Sequence, residues 1–183
     1  MQAFPDAAAL RAPRSLDDLL LYRLHRAMRP GSGMATRLVE GGFGITHREW
    51  GMIGMLAQIG EITSSAFAER LQLDRVRTSR ALQGLVKKGL VNSRRSAADK
   101  RVVHLSLADS GRQLYEQLFP RIAQLNTELL AALDAAQIDV LAHSLQLLEA
   151  QGRTMSAMGR VTDKADRRTG GARRPFSPAA GRP

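Results

Sequence analysis

The sequence predicts a mostly helical protein that carries a small β wing of two to three strands. Three observations predict it. Apolar residues step by four and three, as in Leu114, Leu118, Ile122, Leu125 and Leu129, which is the spacing of one helix face. One stretch instead alternates apolar Val103, Leu105 and Leu107 with His104 and Ser106, the pattern of a half-buried strand. A chain of 183 residues with 44% hydrophobic and 24% charged side chains suffices for one core of ordinary size plus tails.

Residues 1–14 read as a flexible N-terminus. The first helix begins near Ser15, with Asp17 and Asp18 in a first turn that favours acids; Leu16, Leu20, Leu24 and Met28 follow at helical spacing. Pro30-Gly31-Ser32-Gly33 predicts a kink or break, with a second helical piece from Met34 to about Glu40. Thr46 and Glu49 form a capping box for a helix that carries Trp50, Ile53, Met55, Leu56 and Ile59 and stops at Gly60. Thr63 caps a short helix whose buried face is Phe67, Ala68 and Leu71. Asp74 then caps a helix from Arg75 to Lys88, ended by Gly89. Its Leu82 and Leu85 can face inward, whereas Arg75, Arg77, Arg80 and Lys87 cannot all do so. Strands at 90–95 and 102–107 enclose a tip at 96–101. Asp109 opens a long helix, and another from about Gln137 carries Ile138, Leu141, Leu145 and Leu148. After Gly152 the periodicity ends, which predicts a basic, disordered tail over 152–183.

The net charge of +10 is unevenly spread: residues 70–101 carry ten basic and two acidic side chains, whereas 102–151 carry two basic and six acidic. A concentrated basic segment predicts a polyanion partner, because phosphate neutralisation with counterion release supplies most non-specific affinity for DNA. A solvated charged face is the plainer alternative. The absence of cysteine excludes a disulfide scaffold, a thiolate zinc site, an iron–sulfur cluster and a thiol redox switch. His25, His47, His104 and His143 are scattered, so neither a metal site nor a cofactor is expected. No nucleophile–base motif, Gly-rich phosphate loop or HExxH pattern is present, so the chain is not expected to be an enzyme. Without a membrane-length apolar run or a signal-like start, the expected location is the cytoplasm, on the nucleoid when DNA is bound.

Helix, short helix, turn, basic helix and a hairpin with a basic tip, in that order over 46–108, spell a winged helix-turn-helix. The basic helix suits the major groove, where Arg reads guanine through two parallel hydrogen bonds. The tip suits the adjoining minor groove, whose negative potential attracts Arg.

These residues resemble the MarR family of bacterial transcriptional regulators. The likeness rests on the run from Thr63 to Leu71, on Asp74 to Val91 ending Leu85-Val86-Lys87-Lys88-Gly89-Leu90-Val91, and on Asp99-Lys100-Arg101 followed by Leu105-Ser106-Leu107-Ala108-Asp109-Ser110-Gly111. Ala108 stands where the family's wing motif usually has Thr. The resemblance implies a homodimer in which the N- and C-terminal helices, 15–45 and 109–151, interlock through Leu16, Leu20, Leu118, Leu125, Leu129, Leu141 and Leu145. The same stripes also suit packing within one protomer.

By the same resemblance Arg101 takes the minor-groove position, and Asp99 fixes the tip by bonding a wing arginine such as Arg94; a plain turn role for Asp99 is the alternative. Arg94, Arg95 and Lys100 complete the basic wing. Arg75, Arg77, Ser79 and Arg80 form the groove-facing side of the recognition helix. Ser64 and Ser65 are candidate phosphate donors, with Thr63 as readily a simple cap. The family's small-ligand cleft maps to Trp50 and Ile53 on one helix and to Tyr22, His25 and Arg29 on the first. An aromatic wall with a cation suits an aromatic or heteroaromatic carboxylate such as a hydroxybenzoate, a cinnamate-type or a nicotinate-type acid; core packing is the alternative for Trp50. The implied function is a repressor that binds a palindromic operator in double-stranded DNA and is released by such an acid. An architectural DNA-binding protein, or a regulator without a ligand, is the competing reading.

Overall fold

A computed structural model describes the backbone of residues 7–71 and 75–161, and the side chains among these outside 71–78. The element order is α1 (Ala7–Arg11), a one-turn 3-10 helix (Leu16–Asp18), α2 (Leu20–Thr36), a π turn (Arg37–Gly41), α3 (His47–Ile59), β1 (Ile62–Thr63), α4 (Ser64–Leu71), α5 (Arg75–Lys87), β2 (Val91–Arg95), β3 (Val103–Leu107), α6 (Asp109–Leu130) and α7 (Ala135–Ala157). The fold is mostly α with one small antiparallel sheet of order β1-β3-β2. The third strand, β1, pairs Ile62 with Leu105 and Thr63 with His104.

The core forms where α3, α4, α5, the sheet and α6 meet: Met52, Ile53 and Phe67 are fully buried, as are Leu85, Val39 and Leu118. Leu105 and Leu107 point into it from β3. Gly111 explains how α6 leaves the sheet. A Cβ there would collide with the carbonyl of Leu90, so only glycine lets the first turn of α6 lie against the end of the α5–β2 turn.

Four expectations need correction. Residues 7–11, expected to be flexible, form the short helix α1. The chain does not break at Pro30–Gly33: α2 runs through Pro30 to Thr36. Proline costs this helix a donor, but packing on both sides of it overrides the propensity. Gly31 is buried with its Cα face against the Leu129 side chain, leaving only 2.9 Å for an added Cβ, and Val39 beyond it is in the core. Leu118, assigned to a dimer surface, is fully buried within the protomer. The tail does not begin at Gly152, because α7 continues to Ala157. There Arg153 pairs with Glu149 at 2.7 Å, an i,i+4 contact that offsets part of the cost of Gly152 within a helix.

The chain divides into two compact units after Ala131. The second contains α7, capped by Asp134 with Gln137 in a full capping box. No residue of α7 is buried; Val140, Leu141, Leu145 and Leu147 are exposed apolar side chains. Among the described residues no helix is long and apolar enough to cross a membrane.

Candidate nucleic-acid interface

The candidate interface comprises the start of α4, the exposed part of α5 and the β2–β3 tip. Ile62 and Thr63 are held in the sheet by β3, and the Thr63 hydroxyl oxygen accepts from the Ala66 amide at 3.3 Å. Thr63 is therefore a helix cap, and its Oγ1 also lies 3.3 Å from the hydroxyl of exposed Ser65. Ser64 is half-buried. α5 turns Leu82 and Leu85 into the core and leaves Ser79 and Arg80 exposed. The side chains of Arg75 and Arg77, and the residue Asp74, lie outside the described ones.

The wing is a five-residue ladder in which Arg95 pairs with Val103 and Arg94 with His104. Its tip is locked by local hydrogen bonds. The Ser96 hydroxyl accepts from the amides of Ala98 at 3.2 Å and Asp99 at 3.4 Å. An Asp99 carboxylate oxygen accepts from the Arg101 amide at 2.9 Å, and the Val102 amide donates to the Asp99 carbonyl at 2.9 Å. Asp99 therefore fixes the tip through the backbone, as an Asx turn does, and not by bonding Arg94. The Arg94 guanidinium instead faces Glu61, 3.7 Å away, beside a 3.1 Å contact between Glu61 and His104 Nδ1. Arg94 leans toward the base of the wing, while Arg95, Lys100 and Arg101 are exposed and make no ion pair with a described residue.

One polar contact behind the interface escaped the sequence. Lys88, just after α5, donates to the Glu49 carboxylate at 2.8 Å and to the Gly44 carbonyl at 3.0 Å. Burial pushes the Glu49 carboxyl up, but the hydrogen bond from Lys88 and that from the Thr46 amide outweigh it and hold the group below its ordinary value of 4.5. The residues are 39 apart, so no local pattern announces the pair.

The proposed ligand residues are not brought together. Trp50 stacks on Tyr115 with ring centroids 5.6 Å apart, and Tyr115 meets Phe119 at 5.3 Å. These rings line a cleft of about 400 Å³ between α3 and α6, edged by Met55, Gln58 and Arg70. Ile53 is fully buried in the core and does not line this cleft. Tyr22 lines a separate cavity of about 490 Å³ along α1 and α2, and His25 and Arg29, both exposed, line neither. Tyr115 and Phe119 were the residues missed. They sit one position after Leu114 and Leu118 of the apolar stripe, an offset pair that marks a second, aromatic face of α6. Among the described residues no cluster of three His, Cys, Asp or Glu side chains is placed to hold a metal ion.

This arrangement, a short helix, a basic helix and a tip-locked antiparallel wing on a helical base, is a winged helix-turn-helix. Residues 43–102 match the sequence model of the MarR family. The chain is 30% identical over 103 residues to YdgJ of Bacillus subtilis (strain 168), an uncharacterised HTH-type transcriptional regulator. That match covers 54% of this chain and 63% of the relative's length. Among solved structures, a mutant MarR from E. coli complexed with operator DNA is 23% identical with a TM-score of 0.65, covering 79% of this chain and 99% of that one. A MepR–DNA complex from S. aureus is 22% identical with a TM-score of 0.66, covering 73% and 98%. Sco3205 of Streptomyces coelicolor, a MarR family transcriptional regulator in complex with DNA, is 22% identical with a TM-score of 0.66, covering 76% and 91%. Residues 43–102, which hold most of the winged helix-turn-helix, are thus similar in sequence to the MarR family, and the fold is that of the solved MarR-family structures.

Proposed function

We propose that this protein is a cytoplasmic, DNA-binding transcriptional regulator, a binding protein and not an enzyme, acting as a homodimer on a palindromic operator. The observation that carries the reading is the wing tip. Asp99 and Ser96 spend their acceptors on backbone amides, which rigidifies the turn and leaves Arg101 exposed for a minor groove. In the organisation proposed, 46–108 is the DNA-binding domain, and α2, α6 and α7 supply the dimer contacts. Two recognition helices set about 34 Å apart would read half-sites one turn apart. Leu16, Leu129, Leu141 and Leu145 are exposed in the single chain and support that surface; Leu20 and Leu125 are half-buried.

A repressor released by a small aromatic or heteroaromatic acid is the finer form of the proposal. Its support is the cleft beside Trp50, whose volume of about 400 Å³ lies in the range of small-molecule sites. Trp50, Tyr115 and Phe119 offer ring faces there and Arg70 a cation for a carboxylate. Tyr22, His25 and Arg29 enter this site only if a second protomer brings them. The test is anisotropy binding to the promoter upstream of the protein's own gene, with hydroxybenzoates, cinnamates and nicotinates titrated in and Trp50 fluorescence followed in parallel. One acid should quench Trp50 and release the DNA. Tight binding unmoved by every acid would remove the ligand while keeping the regulator, and binding indifferent to sequence would leave an architectural protein.

A further inference from the structure

Lys88 ties three segments together at the rear of the recognition helix. It follows the last residue of α5, and its ammonium bridges the Glu49 carboxylate in the first turn of α3 and the Gly44 carbonyl in the loop that descends from α2. Glu49 is only 7% exposed at its side chain, and it also accepts from the Thr46 amide at 2.7 Å. The fit on α5 is close, since a Cβ added to Gly84 would lie 3.0 Å from Glu49 Oε1. A carboxylate this buried keeps a fixed place only while its countercharge does.

The clamp sits just past one end of α5, and the exposed Ser79 and Arg80 lie near the middle of that helix. Arg80 precedes Lys88 by eight positions, about 12 Å of helix, so a tilt of about 5° at the clamp moves the Arg80 backbone by about 1 Å. Paired hydrogen bonds to a base edge do not survive such a shift, whereas contacts to phosphate through long side chains adapt to it. We propose that the Glu49–Lys88 pair is a positioning clamp that orients α5, so that it sets affinity for a specific site without setting affinity for DNA in general. This rests on the DNA-binding reading above. Through Gly44 it also joins the recognition helix to the chain leading from α2, the route by which a change in the dimer would reach the DNA.

The test compares Lys88→Met, Glu49→Gln, the double variant and Lys88→Arg with the wild type, on two duplexes over a range of salt. One duplex is selected by the wild-type protein from a randomised pool and the other is its scrambled form. Each single variant should lose roughly three- to thirtyfold on the selected duplex, and the double variant should lose no more than the worse single one. Lys88→Arg should restore binding, while the scrambled duplex and the salt slope stay unchanged. Thermal unfolding of Glu49→Gln, which keeps the side-chain shape, confirms that the fold is intact. Weaker binding to both duplexes by Lys88→Met alone, with a salt slope shallower by about one, would make Lys88 a phosphate contact and overturn the clamp. Unchanged affinity in both single variants overturns it equally. A wild type with no preference for any selected duplex overturns the regulator reading, and the clamp with it.

Discussion

Asp99 and Arg101 divide the work of the wing tip. The carboxylate holds the turn by accepting from the Arg101 amide, and the guanidinium two residues on is exposed. Replacing Arg101 with Ala should weaken operator binding by about 1–3 kcal/mol in a titration and leave thermal unfolding unchanged, because it removes the proposed DNA contact without touching the core. Asp99→Ala should weaken binding less and raise amide exchange at the tip, since it loosens the turn and leaves the arginine in place. Glu49 makes a prediction in pH. Its carboxyl is held below 4.5 in the folded chain, burial opposing and Lys88 and Thr46 prevailing. Its share of stability is therefore complete above the unfolded value and is lost as pH falls through the folded one. Glu49→Gln should flatten the dependence of stability on pH in that acid window, measured by urea unfolding; an unaltered slope would contradict the assignment.

At the scale of elements, the local signals proved the most legible. Thr46 and Glu49 announce the start of α3 three residues apart, and both capping hydrogen bonds form. The alternation of Val103, Leu105 and Leu107 places β3, and the Gly111 of the wing motif finds its reason in the Leu90 carbonyl against which it rests. Gly111→Ala should therefore cost about 3 kcal/mol in chemical denaturation, because backbone cannot step aside as a side chain can. What the sequence hid depends on distant partners. Pro30 reads as a breaker until Leu129, from α6, is seen packed on Gly31. Leu118 reads as part of one stripe with Leu125 and Leu129, yet it faces the core while Leu129 stays half exposed; a heptad pattern does not say how far along a helix the protomer's own core extends. The aromatic cleft was half legible, since Trp50 was evident and its partner Tyr115 lies 65 positions on.

For the whole molecule, the charge map and the exposed apolar residues point to different partners. In the proposed function the basic segment at 70–101 would meet DNA, and the exposed apolar residues of α7 would meet a second copy of the chain. Leu145, 47% exposed, tests that division. Leu145→Asp should shift the protein toward monomer in sedimentation and weaken operator binding as a consequence, with the helix content of the chain retained. The account stands or falls on whether two wings read one palindrome together. The most direct measurement is the affinity for a selected palindromic duplex and for the same duplex with five base pairs inserted at its centre, which turns one half-site to the opposite face. The account predicts tight binding of one dimer to the first and a loss of most specific affinity on the second. Equal affinity for the two would contradict it.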